Sequence, residues 1–197
     1  MEKFKGQYRI KSARLKNWDY GWNAMYFITI CTQNREFYFG DIADPYKLGV
    51  STMQLTEIGE IALKYWNEIP KHFPFVELDE FVVMPNHVHG IIVINKTDDG
   101  RKDVETPKLG VSTTRIPNTA AASKKWNPAT LGVIINQYKR ICTINARKLN
   151  PDFAWQSRFY DHIIRDDQSF QKIRDYIYNN PITWTDDKFH NNMSGLG

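Results

Sequence analysis

The chain has 197 residues, a formal net charge of +4 at pH 7 and 14% aromatic residues. A length between about 50 and 250 residues fits one domain, and this aromatic content excludes an intrinsically disordered chain. No apolar run approaches the roughly 18 residues of a membrane span, and the N-terminal stretch lacks the apolar middle of a signal peptide. We therefore expect a cytoplasmic protein with no membrane partner. Cys31 and Cys142 lack CxxC spacing, which argues against a disulfide framework or a cysteine zinc site.

Positive charge is concentrated in two stretches of the chain. Residues 1–18 sum to +5 and the rest of the chain to −1, and residues 121–148 carry six cations and no acid. Such clusters suit a polyanion, because phosphates neutralised by Lys or Arg release their counterions. A solvated basic surface gives the same pattern, so charge alone leaves both interpretations open.

The first half of the chain predicts a strand, a helix and a strand pair. Residues 24–33 are rich in β-branched and aromatic residues, which favours a strand. Apolar residues recur every three or four positions over 58–69, which predicts an amphipathic helix that stops at the following proline. The apolar segments 75–84 and 87–95 flank a Pro-Asn turn signal, so we expect them to form an antiparallel pair.

Residues 96–128 lack periodicity and are rich in Gly, Pro, Thr and Asp, which predicts a flexible loop. The hexapeptide KLGVST occurs in this loop at 108–113 and also at 47–52. Two distant copies do not make a structural repeat. Our hypothesis is that a short DNA element was inserted twice into the coding sequence, in which case deletion of 108–113 leaves activity intact.

The second half predicts a helix, a strand and a final helix. Residues 128–150 have helical apolar spacing, and residues 153–165 are aromatic and alternating enough for a strand. Asp166 and Asp167 favour the start of the last helix, and Pro181 favours its end. The element order predicts an α+β sandwich, with an antiparallel central sheet and helices packed on one face.

Two histidines lie in the middle of the apolar strand pair. Side chains alternate across a strand, so His87 and His89 point to one face and can share one ion. Strand histidines are more often only packed or hydrogen-bonded, so a third ligand is needed. Tyr176 and Asn180 are four residues apart and are therefore neighbours on one face of the last helix. Tyr178 points about 200° away from Tyr176 and cannot share that face.

Several segments of the sequence resemble a known family. MPNHVHGIIV resembles the HUH motif of the single-tyrosine HUH transposases, in which two histidines flank a bulky hydrophobic residue. IRDYIYNNP resembles their catalytic helix, where Tyr-x-x-x-Asn is followed by Pro. Residues 155–184 and 26–36 are similar to the REP-associated tyrosine transposases within that superfamily. The resemblance covers most of residues 7–185 and leaves out the loop at 96–128.

The resemblance implies a role for each matched residue. His87 and His89 match the metal-binding histidines, and Asn180 matches a third, amide ligand. Tyr176 matches the nucleophile, and a phenol with a pKa of about 10 needs a nearby cation to polarise the phosphate. Two imidazoles and an amide add no negative charge and suit Mg²⁺ or Mn²⁺, although imidazoles alone would also accept Zn²⁺.

The resemblance also implies a fold, a reaction and a partner. The fold is a ferredoxin-like sandwich, as one catalytic domain over 1–197 with a basic extension at about 1–22 and a loop insertion at about 96–128. The reaction is nicking and rejoining of single-stranded or hairpin, REP-like DNA through a 5′-phosphotyrosine intermediate. The chain lacks a GxxxxGK[ST] loop, which fits a reaction without a nucleotide cofactor. Related proteins include monomers and homodimers, so either state is expected.

Candidate DNA-binding residues are basic or aromatic side chains in the two positive stretches, which would contact phosphates or stack on bases. They are Arg9, Lys11, Arg14, Lys16, Trp18, Lys139, Arg140 and Arg147. His162 and Tyr160 share one strand face and are candidates for accessory roles, although packing explains them equally well.

Three alternatives stay open. The chain could be a domesticated relative that binds repeat DNA without catalysis. A histidine phosphoesterase with a His-x-His-x-His run is disfavoured, because Ile91 stands where the third histidine would be. Replication or conjugation initiators share the chemistry but commonly carry further domains, for which 197 residues leave little room.

Overall fold

The computed structural model describes residues 18–43, 53–96, 129–187 and 189–190, together with the backbone of 3–4 and 7–8. The strands are β1 (Lys3–Phe4), β2 (Gln7–Tyr8), β3 (Ala24–Cys31), β4 (Gly40–Ile42), β5 (Met53–Leu55), β6 (Val76–Met84), β7 (His87–Ile94) and β8 (Tyr160–Ile164). The helices are α1 (Glu57–Asn67), α2 (Ile69–His72), α3 (Leu131–Ala146) and α4 (Asp167–Asn179).

The central sheet has four strands in the order β6-β7-β3-β8, and each neighbouring pair is antiparallel. With α1 between β3 and β6 and α3 between β7 and β8, this is the βαββαβ arrangement of ferredoxin-like folds. The small pairs β1–β2 and β4–β5 lie outside this sheet. The predicted α+β fold class is confirmed.

One face of the sheet is covered by α1 and α3, as predicted. Its core contains Tyr26, Ile28 and Val88 from the sheet and Trp66 from α1, all fully buried. The Trp66 ring stacks on Phe81 of β6 at a centroid distance of 4.3 Å. This apolar layer explains why the helices carry apolar stripes, because each stripe is buried against the strands.

The opposite face carries the histidines and is crossed by α4. Ile177 of α4 is fully buried with Ile91 and Ile164 of the sheet. Arg174 of α4 places its Nε 2.8 Å from Asp79 Oδ1, in the stretch of β6 where the strand register shifts. Because both charged side chains are partly exposed, this ion pair contributes at most about 1 kcal/mol, and α4 is held mainly by its apolar face.

Two predicted elements differ from the observed ones. The strand expected over 153–165 is limited to Tyr160–Ile164, and before it Trp155 makes only an isolated bridge with Thr32. The predicted helix ends at Asn67, but Pro70 lies near the start of the short helix α2. Proline fits there because the first helical residues have no N–H partner inside the helix.

Two sequence predictions fall outside the described residues. The expected loop is described only at Lys96, and both copies of KLGVST lie in undescribed segments.

No helix in the described part of the chain combines the length and apolarity that a membrane crossing requires.

Candidate active site and metal centre

The site is built on the β6–β7 hairpin, whose two-residue turn brings β7 back along β6. His87 and His89 are 0% and 1% exposed. Their Nε2 atoms lie 3.0 Å apart, which is possible because residues two apart on a strand lie on the same face. The predicted shared face is therefore observed, and both imidazoles converge on one point.

Buried hydrogen bonds fix the orientation of both rings. Asn86 Nδ2 donates to the Phe189 carbonyl oxygen at 2.9 Å, which leaves Asn86 Oδ1 facing His87 Nδ1 at 2.8 Å. Since that amide oxygen only accepts, His87 Nδ1 carries the hydrogen and Nε2 presents its lone pair. Thr29 Oγ1 lies 2.8 Å from His89 Nδ1 on the adjacent strand. Outer hydrogen bonds of this kind hold ligating histidines in place in metal sites.

Helix α4 brings the tyrosine to the histidines. Its N-terminus is capped by Asp166, whose side chain accepts a hydrogen bond from the Ser169 backbone N–H at 2.8 Å. Three turns later, Tyr176 Oη lies 3.2 Å from His89 Nε2, and the ring is 39% exposed. Tyr178 points elsewhere and is 71% exposed, as the helical angle predicts. The sequence thus selected the tyrosine that reaches the histidines.

Asn180 follows α4 and is fully buried. Its Nδ2 donates to Asp187 Oδ2 at 3.1 Å. Its Oδ1 is buried without a hydrogen-bond partner among the described residues, which is costly for an amide oxygen. An oxygen in this state has its lone pairs available for a cation.

The segment after α4 completes the site and was missed by the sequence analysis. Asp187 Oδ2 lies 3.5 Å from Tyr176 Oη, and one ligand atom from each of His87, His89 and Asp187 lies within 4.8 Å of the others. Phe189 packs on the His87 ring at a centroid distance of 4.5 Å. The sequence signal was only an Asp-Asp pair in a loop, which carries no periodicity.

The donor set fits a divalent cation. Two imidazole nitrogens and the Asp187 carboxylate converge on one region, and the amide of Asn180, whose oxygen has no hydrogen-bond partner among the described residues, contacts that carboxylate. Mg²⁺, Mn²⁺ and Zn²⁺ all accept such a mixture of donors. The ligands expected from the sequence carry no negative charge, whereas Asp187 adds one beside the histidines. A carboxylate shifts the preference toward harder cations such as Mg²⁺ or Mn²⁺.

Burial raises the pKa of Tyr176 to about 12, and the Asp187 carboxylate adds to the increase. The hydrogen bond with Asn180 acts in the opposite direction. The phenol is therefore protonated at neutral pH in the absence of a cation. Any nucleophilic use of this tyrosine needs nearby positive charge.

An open cleft of about 720 Å³ lies over this cluster. Its walls include His89, Tyr176, Asp187, Phe189, Arg35 and Tyr160. Tyr160 is 52% exposed, and its ring lies 6.3 Å from that of Phe27. His162, exposed on the same strand, instead lines a neighbouring hollow of about 410 Å³ that it shares with Tyr160. Of the two accessory candidates, Tyr160 alone reaches the cleft.

The predicted DNA-binding cations of α3 lie on the other face of the sheet. Lys139 Nζ donates to the Gln156 carbonyl oxygen at 2.6 Å, and Arg147 Nε donates to the Phe153 carbonyl oxygen at 2.9 Å. Both side chains thus hold the segment that precedes β8. Arg140 is exposed. A role of these three residues in DNA binding stays a prediction.

The N-terminal candidates are described only at Trp18. Its indole Nε1–H donates to Tyr26 Oη at 3.2 Å, and its ring packs against the core at that end of the sheet. Arg9, Lys11, Arg14 and Lys16 lie outside the described residues.

Comparison with known proteins places this site in context. No family model matches the chain. An uncharacterized Haemophilus influenzae protein is 39% identical over 186 residues, which cover 94% of this chain and 95% of that protein, so the two belong to one family. A second Haemophilus influenzae protein, described as a candidate REP-associated tyrosine transposase, is 24% identical over 166 residues, or 83% of this chain and 73% of that protein. The chain is thus similar in sequence to a protein described as a REP-associated tyrosine transposase.

The predicted resemblance to that family is confirmed. Among solved structures, a REP-associated tyrosine transposase bound to a REP hairpin matches with a TM-score of 0.49 and 19% identity. The match covers 89% of this chain and 74% of that one.

Proposed function

We propose that the protein is a metal-dependent nuclease and strand transferase that nicks and rejoins single-stranded hairpin DNA. Tyr176 is the nucleophile, and the product of its attack is a 5′-phosphotyrosine link. The reaction would serve DNA transposition or the mobilisation of repeats, as the relation to REP-associated tyrosine transposases suggests. The proposal includes one catalytic domain over 1–197, a cytoplasmic location and a monomer or homodimer.

One observation carries the proposal: Tyr176 Oη lies 3.2 Å from His89 Nε2 in an open cleft. A phenol that only packed in the core would not be aimed at a pair of buried imidazoles with a carboxylate beside them. This geometry supports the proposal, because phosphodiester transesterification by a weakly acidic phenol requires the phenol to lie next to a cation site.

In this proposal some residues hold the cation and others orient its ligands. His87, His89 and Asn180 would hold the cation, with Asp187 beside them. When bound, a divalent cation polarises a phosphate oxygen and favours the ionised phenol. Asn86 and Thr29 keep the imidazoles oriented through the hydrogen bonds described above.

The bond changes balance without an external energy source. Tyr176 Oη, which donates toward Asp187 Oδ2 at 3.5 Å, releases its proton to solvent in the open cleft and forms a bond to phosphorus. The bond from phosphorus to the 3′ oxygen of the preceding nucleotide breaks, and that oxygen takes up a proton to become a 3′-hydroxyl. Attack by a 3′-hydroxyl reverses the step and releases the tyrosine.

The test is a nicking assay on end-labelled single-stranded hairpins taken from repeats that flank the gene. With Mn²⁺ or Mg²⁺, a nick and a covalent protein–DNA band are expected, and both should vanish with chelator and in Tyr176→Phe. Tyr178→Phe is the matched control, because Tyr178 lies two residues away and is 71% exposed. Cleavage by Tyr176→Phe would refute the assignment of the nucleophile. Tight binding without any nick would instead favour a repeat-binding protein without catalysis.

A further inference from the structure

A short 3-10 turn, Gln33–Arg35, follows β3 and places a cation in the cleft. Among the described residues that line the cleft, Arg35 carries the permanent positive charge, whereas Asp186 and Asp187 are negative. A DNA strand would bring further negative charge into this space. Arg35 is therefore the side chain there that can offset both the aspartates and a phosphate.

The turn is fastened to the hairpin that carries the histidines. Thr32 donates its backbone N–H to the Asn86 carbonyl oxygen at 2.9 Å, and its hydroxyl lies 2.9 Å from the same oxygen. The Thr32 hydroxyl also lies 2.8 Å from the Glu36 carbonyl oxygen on the far side of the turn. Asn86 also orients His87, so the turn and the His87 ring are both held by hydrogen bonds to Asn86.

The backbone of this turn is strained. Asn34 and Arg35 have φ values of 52° and 57°, in the left-handed region that disfavours residues with a Cβ. Asparagine tolerates this region, but arginine does so far less readily. Consecutive residues of this kind are retained where the surrounding structure imposes them, and they concentrate at functional sites.

The Arg35 guanidinium packs on the ring of Phe189. Arg35 Cζ lies 4.7 Å from the centroid of the Phe189 ring, over its face. The same ring also packs against His87, at a centroid distance of 4.5 Å. Stacking on an aromatic ring leaves the edge of the guanidinium, with its N–H donors, directed sideways.

We infer that Arg35 binds a non-bridging phosphate oxygen of the DNA strand held in the cleft, within reach of Tyr176. This inference rests on the proposed function and adds to it a phosphate-binding residue that fixes the strand for attack. Guanidinium and phosphate form charge-assisted, often paired hydrogen bonds, and such a contact would hold the strand in register with the nucleophile.

The experiment measures binding and cleavage separately. Binding of a labelled single-stranded hairpin is followed by fluorescence anisotropy in the Tyr176→Phe background, which prevents turnover. Arg35→Gln is expected to weaken binding about 10- to 100-fold and to reduce the salt slope by about 0.7, the value of one single-strand phosphate contact. Lys71→Gln, which removes an exposed positive charge from the opposite face of the sheet, is expected to change neither.

Hairpins with one neutral methylphosphonate at a time locate the contact. With the methylphosphonate at one position near the cleaved bond, the parent protein and Arg35→Gln should bind with equal affinity, because the phosphate charge that Arg35 would contact is already absent. Arg35→Gly provides a second variant that keeps the fold, since glycine accepts the left-handed backbone without strain. Arg35→Gly should have an unchanged or higher melting temperature, and its affinity for the hairpin should fall as much as that of Arg35→Gln.

The outcomes separate the two proposals. Equal binding by the parent and Arg35→Gln overturns the Arg35 inference, and so does a loss that is uniform over all methylphosphonate positions. If the wild-type protein neither binds nor nicks the hairpins, the proposed function fails and the inference fails with it. If the wild-type protein nicks and Arg35→Gln nicks equally well, only the inference fails.

Discussion

The Asn86 side chain links the histidine pair to the segment after α4, and Asn86→Ala tests how much that link contributes. The substitution removes two buried hydrogen bonds, of 2.8 and 2.9 Å. It leaves the His87 Nδ1–H and the Phe189 carbonyl oxygen without these partners. At about 1–3 kcal/mol for each unsatisfied buried group, the free energy of unfolding should fall by about 2–6 kcal/mol.

Urea unfolding, followed by tryptophan fluorescence, measures this loss. With a slope of about 2 kcal/mol per molar urea, the midpoint should shift by about 1–3 M. Asn145→Ala is the control, because Asn145 donates to the Ile141 carbonyl oxygen at 3.0 Å and accepts from the nearby Lys148 Nζ at 3.0 Å, both local contacts within four residues. This substitution should cost within about 0.5 kcal/mol. If Asn86→Ala costs no more than Asn145→Ala, the hydrogen-bond argument is wrong. Loss of ring orientation should also weaken Mn²⁺ binding about 10- to 100-fold by calorimetry.

Further predictions concern the core, a helix cap and a cysteine. Gly90→Ala places a Cβ 2.3 Å from Trp66 Cζ2 and should destabilise the fold by about 1–3 kcal/mol in urea unfolding, whereas an unchanged midpoint would show that the ring can move aside. Hydrogen bonds from Ser169 lower the pKa of Asp166 from its ordinary value of 3.8. The ionised carboxylate therefore stabilises the folded protein above pH 3.8, and this stabilisation is lost as the pH falls through the lowered pKa. The stability difference between wild type and Asp166→Asn should therefore shrink below about pH 4, and a difference that grows there would contradict the cap. Burial raises the pKa of the Cys142 thiol, so alkylation by iodoacetamide at pH 8 should require denaturant, and rapid labelling of the native protein would contradict its burial.

Much of the fold follows from local sequence patterns. The β-branched run over 24–33 became β3 at the centre of the sheet, and the spacing over 58–69 became the buried stripe of α1. Alternation along β7 placed both histidines on one face. The four-residue spacing placed Tyr176 beside His89 and Asn180 beside Asp187. These features depend on neighbouring residues and on backbone geometry, which a sequence displays directly.

The parts that were missed depend on contacts between distant segments. Residues 153–159 have strand-like aromatics, but the carbonyl oxygens of Phe153 and Gln156 accept hydrogen bonds from the side chains of Arg147, which directly follows α3, and Lys139 of α3. This segment therefore does not extend the backbone hydrogen bonding of β8. Asp187 and Arg35 reach the cleft from irregular segments, where no period marks a side chain as inward-facing. Only the tertiary arrangement of the loops reveals them.

The central claim is that Tyr176 forms the covalent bond to DNA, and mass spectrometry tests it most directly. The protein is incubated with a hairpin and Mn²⁺, the DNA is trimmed with nuclease, and the adduct is digested with trypsin. The peptide 175–188 contains both Tyr176 and Tyr178, so fragmentation can assign the attached nucleotide to one of them. The account predicts the phosphoryl adduct on Tyr176. An adduct on Tyr178, or a nick without any adduct on this peptide, would contradict it.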